Sequence, residues 1–129
     1  PNGTFRSSSD CYYANRNPDW GIAGNSCDNP RLDIDCITQC VVENIRLSRL
    51  EPGTYTVVVH YYSDHNLGPT APRVTLWLQG VRYDFSLTQL TDRQQWTVAT
   101  INWPAKTVTP SSMVTLLPAP ELADNAAKE

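Results

Sequence analysis

What the sequence lacks already excludes several classes of protein. It contains no apolar run approaching the roughly 20 residues that a membrane-spanning helix requires. Lysine occurs only twice and the formal net charge is -3, so the chain lacks the basic stripe that binding to a phosphate backbone requires. We therefore expect neither a transmembrane segment nor a nucleic-acid partner. The chain also begins at Pro1 without an initiator methionine, and we expect that a preceding segment has been removed.

Catalytic motifs are also missing. There is no Gly-x-Ser-x-Gly sequence that would place a serine nucleophile on a strained turn. His60 and His65 flank Asp64, but no third residue at a suitable spacing completes a zinc site. The sequence therefore predicts that the protein is not an enzyme, and it offers no catalytic residue.

Four cysteines stand out in a chain with a single methionine. Their spacing fits neither the paired Cys-x-x-Cys hooks of a zinc ribbon nor a thioredoxin-type site, and two disulfides are the better interpretation. Of the three possible pairings we favour Cys11 with Cys27 and Cys36 with Cys40, because the second pair is close in sequence and would pin a turn. With two disulfides we expect the protein to lie outside the reducing cytoplasm.

Most of the remaining sequence alternates like β-strands. The segment GTYTVVVHYYS, residues 53–63, is rich in β-branched and aromatic residues and is the clearest strand. We expect residues 43–50 to pair with it, with Ile45 facing the core. Residues 73–87 predict a hairpin around Gln79-Gly80, with Val81 on its inner face. Further strands are expected at 94–104 and 111–118, and only 121–129 shows weak helical periodicity.

The N-terminal third has a different composition, since residues 7–30 combine Asn, Asp, Gly, Pro and Ser with aromatic residues. This predicts a long, ordered loop held by disulfides. Short strands separated by turn signals, with little helix, predict an all-β fold, specifically an antiparallel, jelly-roll-like β-sandwich. We expect one domain over residues 1–117, followed by a polar tail or linker over 118–129.

Aromatic residues are candidates for ligand contact. Trp77 lies on the strand face opposite Leu76 and Leu78, where a flat ring is available for stacking against a sugar. Tyr62 and Trp20 are the other two candidates. The alternative is that these rings are core or loop anchors in a chain with only two phenylalanines.

Several motifs together resemble a family of bacterial secreted β-sandwich domains related to the pre-peptidase C-terminal domain. The motifs are PNG, DCYYANRNPDWG, LDID, ENI, PGTYTVVVHYYSDHNLGP, VTLWLQGV and WTVATINWP. The resemblance implies a cell-surface or extracellular β-sandwich. Two features depart from it: the Asp-x-Asp-x-His strand that usually precedes the Pro-x-Gly turn is absent, and Cys36 and Cys40 stand where many members have a Gly-rich acidic turn.

The LDID motif bears on metal binding. In a strand Asp33 and Asp35 point to the same face, where their carboxylates repel unless a cation offsets them. Ca²⁺ is the natural candidate because it accepts mixed carboxylate and amide oxygens, and the resemblance implies a similar acidic cluster. Asp28, Glu43 and Asn44 are close enough in sequence to join it. In the alternative, the carboxylates form a solvated strand face balanced by Arg31 or Arg46, with Asn44 capping a turn.

We therefore expect a non-catalytic extracellular binding or structural module, stabilised by calcium, that contacts protein or glycan at a bacterial cell surface. One alternative is an accessory domain processed from a secreted hydrolase. Another is a subunit of an extracellular filament or complex, in which a second chain supplies the missing strand. The expected partners are other protein chains, the parent polypeptide or a glycan, and a homo-oligomer is compatible with the open edge.

Overall fold

The computed structural model describes residues 7–34 and 42–117, and this part of the chain is all-β with antiparallel sheets. Within it there is no helix with the length and hydropathy needed to cross a bilayer. The strands are β1 (Arg31–Ile34), β2 (Asn44–Arg46), β3 (Gly53–His60), β4 (Arg73–Leu78), β5 (Val81–Ser86), β6 (Gln94–Trp103), β7 (Thr107–Pro110) and β8 (Val114–Leu116). The general prediction of an all-β fold is confirmed.

The chain divides into two compact units. The first consists of Pro1–Tyr55 and Asn102–Ala105, and the second of Thr56–Ile101 and Lys106–Glu129. The single domain expected over 1–117 stays a prediction, and residues 118–129, including the weak helical pattern, lie outside the described residues.

In the first unit, β1 and β2 form a two-stranded antiparallel sheet. Residues 43–50 were expected to pair with the strand after the Pro52-Gly53 turn, but β2 pairs with β1 instead. Ile45 was expected to face the core, yet it is 55% exposed. A three-residue strand buries too little surface for its alternation to identify either its partner or its buried face.

The loop before β1 is ordered by side chains that bind the backbone. Asn17 Nδ2 donates to Pro30 O at 2.7 Å, and Trp20 Nε1 donates to Ser9 O at 2.7 Å. The Trp20 backbone N–H donates to Asn29 Oδ1 at 2.6 Å. Asn and Trp side chains thus satisfy backbone groups that a strand ladder would otherwise satisfy.

In the second unit, β4 and β5 form the predicted hairpin. Leu78 pairs with Val81, and the two residues between them, Gln79 and Gly80, both have positive φ (49° and 81°), as a type I′ turn requires. Val81 lies on the same face as Leu78, as the alternation predicted, but it is 53% exposed because it stands at the tip of the hairpin.

The core of the second unit lies around β6, which is bordered by β3 and β7 and also pairs with β8. The consecutive residues Val98 and Ala99 are both 0% exposed, and since neighbouring residues in a strand point to opposite faces, β6 is covered on both faces. Trp96 is also buried and donates its indole N–H to Ser111 O at 3.0 Å. Partly buried side chains from the other strands and loops pack on this cluster: Val57, Val59, Tyr61, Val74, Phe85, Leu87, Val108 and Val114.

Leu90 offers a test of this core. Leu90 is completely buried in the cluster, so Leu90→Ala should lower the free energy of unfolding by about 2–5 kcal/mol through lost transfer energy and a residual cavity. Leu67→Ala is the matched control, because Leu67 is 85% exposed and its truncation should change stability by less than about 0.5 kcal/mol. Urea unfolding followed by tryptophan fluorescence measures both, and equal effects would contradict the assignment of Leu90 to the core.

Candidate functional site

The exposed face of the β4–β5 hairpin carries a connected group of side chains, Thr75, Trp77, Arg82 and Asp84, which we call the Trp77 face. In the antiparallel register Trp77 is opposite Arg82, and Thr75 is opposite Asp84. Because side chains alternate along a strand, all four project away from the face that carries Val74, Leu76, Tyr83 and Phe85. The hairpin therefore buries one set of side chains and presents the other to solvent.

Trp77 is the large apolar residue of this face. It is 63% exposed, as its position opposite Leu76 and Leu78 predicted. The guanidinium carbon of Arg82 lies 5.8 Å from the centroid of the indole, within the range of a cation–π contact. This contact orients the indole, and the exposure of Trp77 leaves ring surface for a ligand.

Asp84 fixes the polar half of the face. Arg82 Nε lies 3.0 Å from Asp84 Oδ1 and 2.9 Å from Oδ2, and Thr75 Oγ1 donates to Oδ1 at 2.8 Å. The hydrogen bond from Arg82, and then that from Thr75, lowers the pKa of the Asp84 carboxyl below its usual range because both favour the ionised form. Asp84 is therefore a carboxylate at neutral pH, and the network is charged.

The other two aromatic candidates have different surroundings. Trp20 is half-buried: its indole N–H is bonded to Ser9 O, and its ring packs 5.6 Å from the ring of Tyr55. Tyr62 is also half-buried and stands edge-on to His60, with 6.0 Å between ring centroids. Trp20 thus serves as an anchor of its loop, and of the three candidates Trp77 has the exposed ring.

Asp33 of the LDID motif has protein partners. Arg31 Nε lies 2.8 Å from Asp33 Oδ1, and Asn44 Nδ2 donates to Oδ2 at 3.3 Å. The ion pair with Arg31 agrees with the alternative to calcium binding, in which an arginine balances the carboxylate on the strand face. The β1–β2 register shifts between Leu32 and Ile34, so Asp33 also lies where the regular alternation is interrupted.

The remaining predicted calcium ligands do not form a cluster with Asp33 in the described part of the chain. Asp28 is buried and accepts the Ile22 backbone N–H at 2.9 Å, while Glu43 is exposed and Asp35 lies outside the described residues. Over residues 7–34 and 42–117, no group of three or more His, Cys, Asp or Glu residues is arranged to hold a metal ion. Calcium binding at these residues stays a prediction.

The predicted disulfide between Cys11 and Cys27 is not present in the structure, where both residues are free cysteines. Cys11 is half-buried and its thiol donates to Arg16 O at 3.5 Å, whereas Cys27 is exposed. Proximity in sequence says nothing about the Cα separation that a disulfide needs. Cys36 and Cys40 lie outside the described residues.

Sequence reasoning placed Trp77 on the outer face but missed its partners. A signal for them was present, because a two-residue turn at Gln79-Gly80 pairs residues symmetrically about it and so places Arg82 opposite Trp77. Extending the alternation across that turn adds Thr75 and Asp84. The ion pair itself depends on side-chain rotamers, which alternation does not specify.

Gly21 and Gly24 test how the loop is packed around Asp28. A Cβ on Gly21, whose φ is +60°, would lie 2.6 Å from Asp28 Oδ2 and 2.9 Å from Glu51 Cγ. Gly24 has φ +79° with nothing within 4 Å, so Gly24→Ala should cost only the backbone strain of about 1–2 kcal/mol. Gly21→Ala should cost about 1–3 kcal/mol more because of the clash, as measured by denaturant unfolding. Equal losses would contradict the close packing of Gly21 on Asp28.

The two free thiols should differ in reactivity. Burial raises the pKa of the Cys11 thiol, and the backbone hydrogen bond from Leu32 offsets only part of that increase. The Cys11 thiol is therefore less ionised at pH 8 than a thiol with the ordinary pKa, and it is also half-buried. It should react with iodoacetamide several-fold more slowly than the exposed Cys27. Peptide mapping by mass spectrometry after timed alkylation measures both rates. Failure of both to react until a reductant is added would instead support the disulfide predicted from the sequence.

The chain was compared with protein-family models, with curated proteins and with solved structures. None of the three comparisons found a match. The geometry of the Trp77 face is therefore the basis on which function is inferred.

Proposed function

We propose that this chain is a non-catalytic extracellular binding module that recognises glycans through the Trp77 face. The observation that carries the proposal is Trp77, a residue 63% exposed, beside the hydrogen-bonded Arg82–Asp84–Thr75 network. A sugar ring has an apolar C–H face and a rim of hydroxyls. An exposed aromatic ring next to fixed donors and acceptors offers a partner for each.

The polar groups of the face retain hydrogen-bonding capacity. Arg82 contacts Asp84 through Nε, so its two Nη groups can donate to ligand hydroxyls. A carboxylate has about four acceptor positions, more than the contacts from Arg82 and Thr75 occupy. Donors and acceptors thus stand together at the edge of the indole, as a ring with several hydroxyls requires.

The face is also preorganised. Six residue pairs and a two-residue turn define the hairpin backbone, and the ion pair and cation–π contact hold Arg82 in place. A ligand therefore does not have to order a loop, and less of its binding energy is lost to conformational entropy. In this proposal the hairpin and the four-stranded sheet are the two layers of the sandwich expected from the sequence. The resemblance to bacterial secreted domains supports the extracellular location.

Assembly with another protein chain is a second candidate function. Among the described residues, β4 and β5 form a two-stranded sheet that pairs with no third strand, so each has an outer edge available for strand addition. Such an interface would leave the Trp77 face free, because strand addition uses backbone groups in the plane of the sheet. A concentration-dependent oligomer in sedimentation experiments would support this candidate.

Glycan binding is tested by affinity electrophoresis in gels that contain a soluble β-glucan, xylan, mannan or polyuronate. The wild-type protein should be retarded by at least one of them, and Trp77→Ala should weaken that binding by about 2 kcal/mol, roughly 30-fold in Kd, as for a central aromatic anchor. Leu67→Ala removes an exposed apolar side chain of the same unit and should leave the retardation unchanged. Equal retardation of Trp77→Ala and the wild type, or none of the wild type in any gel, would refute glycan recognition by this face.

A further inference from the structure

The first unit contains an open groove of about 420 Å³ lined by Arg16, Asn17, Arg31, Leu32 and Asp33. One wall comes from the N-terminal loop and the other from β1. The two are joined by a hydrogen bond from the Leu32 backbone N–H to Arg16 O at 2.8 Å. Two arginines far apart in sequence thereby line the same groove.

Arg16 is held against the backbone of β1. Its Nη2 donates to Leu32 O at 3.3 Å and to Asp33 O at 3.4 Å. These contacts are made through one nitrogen, and a guanidinium carries five N–H donors. Nε and Nη1 of Arg16 thus supply further donors to a side chain whose position is already defined.

Arg31 is arranged in a similar way. Its Nε lies 2.8 Å from Asp33 Oδ1, while the side chain as a whole is 67% exposed, so its two Nη groups are available to a ligand. Two arginines and one aspartate line the groove, so the lining residues carry a net charge of one positive unit. A monoanion is matched by this excess, whereas Asp33 would repel the second charge of a dianion.

Asn17 adds an acceptor to the groove. Its Nδ2 donates to Pro30 O at 2.7 Å, which fixes the amide and gives Oδ1 the role of acceptor. The volume lies within the range of small-molecule sites and far exceeds that of an inorganic anion. The site therefore suits a molecule larger than an inorganic anion that carries one carboxylate and a hydroxyl within reach of Asn17.

We infer that this groove binds a carboxylate-bearing sugar, a uronate, with Arg16 and Arg31 on the carboxylate and Asn17 on a hydroxyl. The paired Nη groups of Arg31 form a planar fork that matches carboxylate geometry, and Arg16 adds donors from Nε and Nη1. Side chains that the protein already holds lose little entropy on binding. The inference is independent of the Trp77 face, since the groove lies wholly in the first unit and the Trp77 face in the second.

The test is isothermal titration of the full chain with sodium galacturonate, with galactose, sulfate and phosphate as comparison ligands. We expect galacturonate to bind at least tenfold more tightly than galactose, sulfate or phosphate, with an affinity that falls as salt is added. Binding of sulfate or phosphate as tight as that of galacturonate would overturn the uronate assignment. Absence of galacturonate binding would overturn the site.

Substitutions in the groove test whether galacturonate binds there. Arg31→Gln should weaken galacturonate binding by tenfold or more because it removes the planar fork. Arg16→Lys should also weaken it, since a compact ammonium cannot contact Leu32 O, Asp33 O and a carboxylate as an extended guanidinium does. Arg73→Gln is the matched control, an exposed arginine of β4 outside the groove, and should have no effect. Thermal melts report whether each variant is folded, and Arg31→Gln decides the outcome if Arg16→Lys fails to fold.

The Trp77→Ala variant separates this inference from the proposed function. If galacturonate still binds to Trp77→Ala but not to Arg31→Gln, the result supports binding in the groove. This holds whether or not Trp77→Ala changes the retardation by polysaccharides. The reverse pattern, loss in Trp77→Ala with no change in Arg31→Gln, would overturn the inference and assign the acidic sugar to the hairpin. A tri-uronate that binds more tightly than galacturonate would identify a polymer as the source, and equal affinities would identify a single terminal or free uronate.

Discussion

The burial of β6 on both faces is the constraint on which the second unit depends. Val74 and Phe85 of the hairpin pack on the cluster around β6, and this packing decides which face of the hairpin is turned outward. A slip of one residue in register would exchange the two faces, burying Arg82 and exposing Phe85. Exposing a fully buried side chain of this kind costs about 1.5–3 kcal/mol, so exposing the partly buried Phe85 costs a part of that, and burying an unpaired guanidinium costs more. The Trp77 face is thus a consequence of how the core is filled.

The first unit is organised by a different interaction. Few of its described residues are buried and apolar, and the loop before β1 relies on bonds such as those from Asn17 to Pro30 and from Trp20 to Ser9. Each bond contributes only about 0.5–1.5 kcal/mol, so order requires many of them together. The same type of contact holds Arg16 on the carbonyls of β1. The polar network that orders the loop therefore also positions a guanidinium in the groove.

These two kinds of order explain how far the sequence could be interpreted. Strict alternation around Gln79-Gly80 identified the hairpin and the outward position of Trp77, because period and turn chemistry are local properties. The strand partner predicted for β2 was wrong, because the three residues of β2 carry no distinctive alternation and strand pairing depends on residues distant in sequence. The groove was not foreseen either, because Arg16 and Arg31 meet only through the tertiary hydrogen bond between Leu32 and Arg16. The Cys11–Cys27 pairing followed from pairing Cys36 with Cys40, which are close in sequence, and sequence separation does not determine the Cα separation of either pair.

Arginine has a different role on each candidate surface. On the Trp77 face Arg82 is neutralised by Asp84, so selectivity there depends on shape and hydroxyl geometry rather than on net charge. In the groove two arginines face one aspartate, which leaves local positive charge in a chain whose net charge is -3. Charges separated by more than about 8 Å are largely screened at physiological ionic strength, so the overall negative charge does not cancel this excess. It does remove any long-range attraction for anions, and an acidic sugar would therefore be selected by contact and by slow dissociation rather than by electrostatic steering.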